Sequence, residues 1–363
     1  PLIANAQDET GARDLGTIVV GESKRDVQTE TAVPRTVVDQ EEIDDRQAGT
    51  IAELIDSVPG VTLVNGSTPQ GSGISIRGFG ANDTFGTDQK VIIIQDGATQ
   101  GQQEVYRIGT QLFSEPELFK EVEVFRGPVG TFEFASGAVG GVVNLTTKDA
   151  SDFTFGEREF AGRQTLKYSS NGVGLLSSTI LAWQPDENFE FLFNYVWREQ
   201  DEQKDANGNT IENSAFALPS YLAKANYTFG QDGDHSLSFI YNQTSASDRD
   251  VPYDTFLTTD AFFGNVDRDT ESRTAILEYR YQPTDNDLID LSVNLSYAEA
   301  DITQAYVPGS SDCELAPGVG PCPAVFPVGG FGVVNADLNY KTTKLTVKNE
   351  SFVETGAIAH TLR

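Results

Sequence analysis

Across 363 residues, 25 basic and 54 acidic side chains leave a net charge of −29, which argues against a nucleic-acid partner, because polyphosphate binding draws on counterions released by Lys and Arg. No run of about 18 apolar residues occurs, so a membrane-spanning helix is excluded, and two cysteines with two histidines cannot build a finger-type zinc site. With 34 glycines and 10% aromatic residues the chain is too rich for an acidic disordered tail and reads as mostly β.

Ala4-Asn5-Ala6 before Gln7 has the small-x-small form of a signal-peptidase site, and both ends read as cuts in a longer protein. Thr17-Ile18-Val19-Val20 is a short β-prone run, either an edge strand or a strand that a partner captures by main-chain pairing. Thr36-Val37-Val38 reads as a strand, and Asp39 caps a helix that begins near Gln40. Thr50 to Val58 has apolar residues at helical spacing, with Thr50 and Glu53 as a capping box and Pro59-Gly60 as the stop. Extended segments follow at Val61–Val64, at Ile74–Phe79 with its Arg77-Gly78 corner, and at Val91–Ile94 before the turn Gln95-Asp96-Gly97. Glu121 to Phe125 alternates and ends at Arg126-Gly127-Pro128, and small residues from Ser136 to Asn144 allow close backbone approach. These elements make a small α+β domain. It holds no histidine, so Ser-His or Cys-His nucleophile pairs cannot form there, and its scattered carboxylates give no catalytic set.

The period then changes to two. Phe189, Phe191, Phe193, Tyr195 and Trp197 alternate with Glu190, Leu192, Asn194, Val196 and Arg198, and similar runs pass through Tyr221–Phe229, Leu237–Tyr241, Ala275–Tyr281 and Ile289–Tyr297. The longer runs are about ten residues, the length of a tilted strand across a bilayer. Short turns at 185–188, 231–234 and 283–286 alternate with long polar stretches at 200–218, 247–271 and 301–335. That rhythm, with uncharged aromatic rows on one face, predicts an antiparallel transmembrane β-barrel of which about nine strands are present. An open sheet in lipid leaves two unpaired edges, so the segment is expected to belong to a larger closed barrel. Cys313 and Cys322 lie in the last long stretch, as a local disulfide or, less readily, as metal ligands.

In this order the motifs resemble those of the TonB-dependent outer-membrane receptors. The run Thr17-Ile18-Val19-Val20 resembles a TonB box. Leu54 to Val61, Ile74 to Phe79, Val91 to Gly97, Val122 to Pro128 and Ser136 to Asn144 look like successive plug-domain signatures. Thr146 to Asp152 and Pro116 to Phe119 look like the haem and haemoglobin receptor branch, although the plug lacks the histidine common there. The resemblance implies a signal remnant and TonB-box segment over 1–30, a plug over 31–155, and the N-terminal part of the barrel over 156–363.

It further implies active import of an iron-containing nutrient, with haem or a haem-protein favoured over a ferric siderophore, and a passive porin or adhesin as the alternative class. The chain would be an integral outer-membrane receptor rather than an enzyme, with plug and N-terminus on the periplasmic side and TonB as energy-coupling partner. Arg77-Gly78 and Arg126-Gly127 would latch the plug to barrel glutamates, or else make local turn contacts. Tyr106, with Gln102 and Arg107, falls in a segment that resembles a plug apical loop and would contact the ligand.

Overall fold

The computed structural model describes residues 35–64, 68, 69, 72–80, 90–100, 114–128, 134, 137–252, 265–310, 335–355 and 358–362. Thr17-Ile18-Val19-Val20, Gln102, Tyr106, Arg107, Cys313 and Cys322 lie outside the described residues.

Strand β1 (Arg35–Val38) leads into helix α1 (Gln40–Arg46), whose first turn is closed by the Asp39 carboxylate accepting from the Glu42 N–H at 3.1 Å. Thr50 caps α2 (Ile51–Ile55) in the same way, accepting from the Glu53 N–H at 3.1 Å. The Glu53 carboxylate reaches back to the Gly49 N–H at 2.7 Å, one residue short of the cap itself. The helix ends earlier than the spacing to Val58 predicts. Pro59 disfavours helical dihedrals at Val58, whose N–H makes a tighter bond to the Ile55 carbonyl at 3.0 Å.

Strands β2 (Val61–Val64), β3 (Gly73–Ile76) and β4 (Phe79–Gly80) form a three-stranded sheet. A five-stranded sheet, order β1-β7-β8-β5-β6, is completed by β5 (Val91–Gln95), β6 (Ala98–Thr99), β7 (Phe119–Arg126) and β8 (Gly141–Thr147). β5 is buried at every position, as its unbroken apolar run requires, and pairs parallel with β8. The small residues before β8 matter at Gly141, where a Cβ would stand 2.2 Å from the Phe125 carbonyl oxygen.

A short helix, α3 (Ser151–Thr154), leads to the second unit. This is a nine-stranded antiparallel meander, in which strands adjacent in the chain pair in sequence. It runs through β9 (Phe160–Ser169), β10 (Gly174–Trp183), β11 (Phe189–Gln200), β14 (Phe216–Phe229), β15 (His235–Pro252), β16 (Asn265–Tyr281), β17 (Asp290–Tyr306), β18 (Ala336–Thr355) and β19 (Ile358–Leu362). A two-stranded ribbon, β12 (Gln203–Lys204) and β13 (Thr210–Ile211), stands in the loop after β11. At the short-turn end the Asp186 carboxylate accepts from the N–H groups of Asn188 and Phe189 at 2.8 and 2.9 Å, a side-chain turn that needs few residues. At the other end the strands are longer than predicted, so the connections expected over 247–271 and 301–335 narrow to 253–264 and 307–335. Polar pairs replace apolar alternation there, among them Ser247 to Asp269 at 2.6 Å and Arg249 to Asp269 at 3.0 Å. The one apolar rung near these ends, Val251 with Val266, is too short to give hydropathy a period.

The register aligns the outward side chains in rows. Phe191, Ala225, Phe239, Leu277, Leu295 and Leu345 lie level across six strands. One row toward the short turns stand Phe189, Tyr227, Leu237, Tyr279, Val293 and Val347, and beyond them Phe229, His235 and Tyr281 stack with ring centroids 5.1 and 4.5 Å apart. Toward the long loops the row Phe193, Ala223, Tyr241, Ala275, Tyr297 precedes the first charged one, where Arg273, Glu299 and Lys341 are level and Lys341 reaches Glu299 at 3.3 Å. From the His235 row to this belt is eight residues, roughly 27 Å along the strands, a span suited to a tilted wall with an apolar band about 25 Å tall.

Placing a charge in the middle of that band tests which side faces lipid. Leu277→Arg is expected to destabilise the membrane-inserted full-length protein by about 2–4 kcal/mol, read as a lowered urea midpoint for unfolding from lipid vesicles. An unchanged midpoint would mean that Leu277, which is 45% exposed, does not meet hydrocarbon.

Candidate functional site: the plug–wall interface

The inward face of the wall is partly apolar and partly polar, and both parts meet the N-terminal domain. Leu176, Ile180, Leu192, Val196, Leu222, Ile240 and Ile276 join one buried cluster with Ile51, Leu54, Ile55, Leu118 and Leu145 of the plug. Between these apolar contacts lie ion pairs. Plug carboxylates meet wall cations at Asp44–Arg163 (2.9 Å), Glu115–Arg198 (2.8 Å), Glu117–Lys167 (2.5 Å) and Asp149–Lys224 (2.7 Å).

The densest of these contacts surrounds a single turn of 3₁₀ helix, Pro116–Leu118, entered through Glu115. Pro116 begins the turn at no cost in hydrogen bonds, and the Glu115 carboxylate caps it by accepting from the Glu117 N–H at 3.2 Å. Arg198 grips both oxygens of that carboxylate, Nε at 2.9 Å and Nη2 at 2.8 Å, the paired geometry that suits guanidinium to carboxylate. The Glu117 carbonyl accepts from Lys148 Nζ at 2.7 Å and from Asn194 Nδ2 of the wall at 2.9 Å. Lys148 is fully buried, with the Glu117 carboxylate 3.9 Å from its ammonium. At the short-turn end, Asp149 is held by Lys120 at 2.8 Å, Lys224 at 2.7 Å and Asn226 at 2.8 Å, while Glu190 of the wall accepts from the Ser151 N–H at 2.7 Å.

Charge states follow from these neighbours. Burial by itself would raise the Glu117 carboxyl, but Lys148 and Lys167 outweigh it and hold the group below the ordinary range. Burial likewise opposes ionisation of Asp149, and Lys224 with Lys120 reverses it, again lowering the pKa. Asp96 goes the other way. Its burial outweighs Lys224 and the Thr147 N–H, so its pKa is raised.

Toward β15–β18 the interface loosens. Gln100 donates to Thr274 at 3.3 Å, Asn294 donates to the Asp96 carbonyl at 3.2 Å, and Lys344 donates to the Phe134 carbonyl at 2.7 Å. A polar cavity of about 550 Å³ opens here between the Asp96-Gly97 turn, Asn226, Asn294 and Lys344. Gly97 has φ +86°, and a Cβ there would stand 3.0 Å from the Asn294 amide nitrogen, so this close approach requires glycine on both counts.

The residues singled out as latches gather inside the plug. The Arg77 N–H donates to the Gly60 carbonyl at 2.8 Å from a backbone with φ +52°. Arg126 Nη1 donates to the Pro59 carbonyl at 3.2 Å, and the Gly127 N–H to that of Gly140 at 2.8 Å. Three motifs distant in sequence, 59–60, 77–78 and 126–127, thus meet at one corner. The four cross-wall pairs have the opposite polarity to plug arginines on wall glutamates. Sequence reasoning noted Pro116–Phe119 and Thr146–Asp152 as branch motifs without seeing that they dock the plug. The available signal was Lys and Arg at inward positions of wall strands, Lys224 and Arg198 among them.

The TonB-dependent receptor plug domain family matches residues 27–142. TonB-dependent heme receptor A of Haemophilus ducreyi is 29% identical over 279 residues, covering 73% of this chain and 36% of that protein. Residues 27–142 are a plug domain of the TonB-dependent receptor family. A hemin receptor of Yersinia enterocolitica is 25% identical over 74% of the chain and 37% of its own length, so the chain spans about a third of the curated relatives it matches. Among solved structures, the FrpB iron transporter of Neisseria meningitidis superposes with a TM-score of 0.64 at 20% identity, covering 89% of this chain and 46% of that one. The Serratia marcescens hemophore receptor HasR gives 0.63 at 22% identity, covering 77% and 40%. The shared fold is a plug followed by barrel strands, and the family is one of receptors and transporters rather than enzymes.

Two outcomes test the interface in the full-length receptor. Arg198→Ala leaves the Glu115 carboxylate buried without its guanidinium, and is expected to cost roughly 3–5 kcal/mol, seen as a lower thermal midpoint and faster proteolysis of the plug. The double variant with Glu115→Ala should recover part of that loss; equal losses in both would assign the effect to packing. Acidification gives the second. Carboxyls with lowered pKa stabilise docking above their unfolded value, about 4, and lose that contribution as pH falls through the folded value. Plug proteolysis is therefore expected to rise steeply below about pH 4. Asp96 has the opposite sign, its carboxyl being raised by burial, so the midpoint of Asp96→Asn is expected to gain on that of the wild type as pH rises.

Proposed function

We propose that the full protein imports haem or a haem-protein's haem across the bacterial outer membrane, driven through TonB. The observation that carries this reading is a plug seated by ion pairs and hydrogen bonds on the inner face of a wall whose outer face is apolar. Polar contacts across such an interface exchange with water at modest net cost, which suits a stopper that must move. The names of the relatives, heme and hemin receptors, favour haem over other cargo.

In this reading residues 1–30 carry the TonB-binding segment, 31–155 the plug and 156–363 the first barrel strands, with further strands closing the wall. Thr17-Ile18-Val19-Val20 pairs as a strand with TonB in the periplasm, where main-chain hydrogen bonds supply affinity to an extended segment. The short turns and the N-terminus face the periplasm and the long connections face outside, with Cys313 and Cys322 tying the last of these by a disulfide. Arg77-Gly78 and Arg126-Gly127 brace the corner that the pull reaches through β2 and β3. Tyr106, with Gln102 and Arg107, meets the ligand at the plug apex, where a tyrosinate can serve as an axial haem ligand. A ferric siderophore is the second reading, favoured by the histidines: His235 stacks on the outer face with Tyr281, and His360 lies on β19, so the plug segment supplies none.

Deleting residues 15–21 from the full-length receptor is expected to abolish uptake of haem iron by cells while surface binding of haem persists. Unimpaired uptake would overturn energy coupling and favour a passive porin. Absence of a haem absorption band on titration of the purified receptor would turn the reading to the siderophore.

A further inference from the structure

The outer face of the wall carries a cleft that the import cycle does not use. The β14–β15 ladder has its last rung at Ser220 and Thr244, whose hydroxyls lie 3.0 Å apart, although β14 continues back to Phe216 and β15 on to Pro252. Pro219, one residue beyond that rung, brings no N–H for another. On either side pairing persists, Gln200 with Phe216 and Pro252 with Asn265. The sheet therefore splits, Leu218 and Ala246 pack together behind the split, and a cleft of about 520 Å³ opens outward.

Its place in the rows says what it meets. The registers set Trp197 level with Pro219, and Ser245 level with Glu271 and Asp301, each two residues along its strand from the Arg273–Glu299–Lys341 belt, which is immediately past the apolar band, at headgroup level. Arg273 is engaged by Glu271 and stands 3.9 Å from Glu299, Lys341 reaches Glu299 and Arg249 holds Asp269, so the four carboxylates Asp269, Glu271, Glu299 and Asp301 stand one ahead of the three cations. Such a rim, slightly acidic, favours hydroxyl donors over a phosphate, and Trp197, its Nε1 held by Glu199 at 2.9 Å, offers an indole beside them. Carboxylates beside an aromatic ring are the donor-accepting and stacking surfaces that a neutral sugar needs. Below the cleft, Phe193 and Tyr241 continue the apolar surface on which acyl chains lie.

We infer that the cleft at the β14–β15 split, between Trp197 and Asp301, docks the saccharide headgroup of an outer-leaflet glycolipid. This rests on the proposed insertion in the outer membrane. The test uses the full-length receptor reconstituted in nanodiscs of phosphatidylethanolamine with a minor fraction of glycolipid, extracted in mild detergent and examined by native mass spectrometry for retained lipid. Trp197→Ala, and Ser245→Trp, which fills the cleft, are expected to lower retained glycolipid about five-fold, while Phe229→Ala, at the short-turn end of the band, leaves it unchanged. Equal retention in all four proteins, an equal loss in Phe229→Ala, or Trp197-dependent retention of phosphatidylethanolamine instead would overturn the inference. Recovery of the wild-type receptor outside the outer-membrane fraction would overturn the import reading first, so the two failures are read separately.

Discussion

A sheet that gives one face to hydrocarbon has to find partners for every polar group on the other, and in this chain the partner is the domain that precedes it. Outward rows from Phe229 to Tyr297 hold no charge, whereas Arg163, Lys167, Arg198 and Lys224 point inward. Left without carboxylates, those cations would make a repulsive interior. The plug supplies the counter-charges at Asp44, Glu115, Glu117 and Asp149, and the arrangement of everything else follows from getting those four residues to the wall.

Two of them depend on local devices. Glu115 and Glu117 reach the wall from a proline-started 3₁₀ turn that precedes β7, and the fully buried Lys148 secures the same turn from within the plug. Buried pairs of this kind add little net stability over an apolar equivalent but penalise misplacement heavily. Their role here is registration. They set one orientation of the plug against β9–β14, where packing is apolar and close, and leave the side toward β15–β18 polar and hollow.

Much of the architecture was legible because its signals are local. The continuous apolar run Val91–Ile94, the capped helices at Asp39 and Thr50, and the period-two rows from Phe189 onward each reflect constraints acting within a few residues. The site was legible only in part. Arg198 stands at an inward position by simple alternation, yet nothing in the chain links it to Glu115, 83 residues away. The meeting of 59–60, 77–78 and 126–127 likewise depends on how two sheets stack. The strand ends near Pro252 and Asn265 were missed because the apolar pair Val251 and Val266 is a single rung among polar ones, too short for alternation to show.

By itself the sequence determined which faces are apolar, where the turns fall and that an α+β domain precedes a run of long hairpins, since propensity, capping and alternation are properties of neighbouring residues. Only the tertiary structure decided which carboxylate meets which cation, that the wall splits beyond Ser220 and Thr244, and that a cavity lies on one side of the plug rather than around it. Those outcomes turn on ångström-scale distances between segments tens to hundreds of residues apart, and a linear pattern carries no record of such distances.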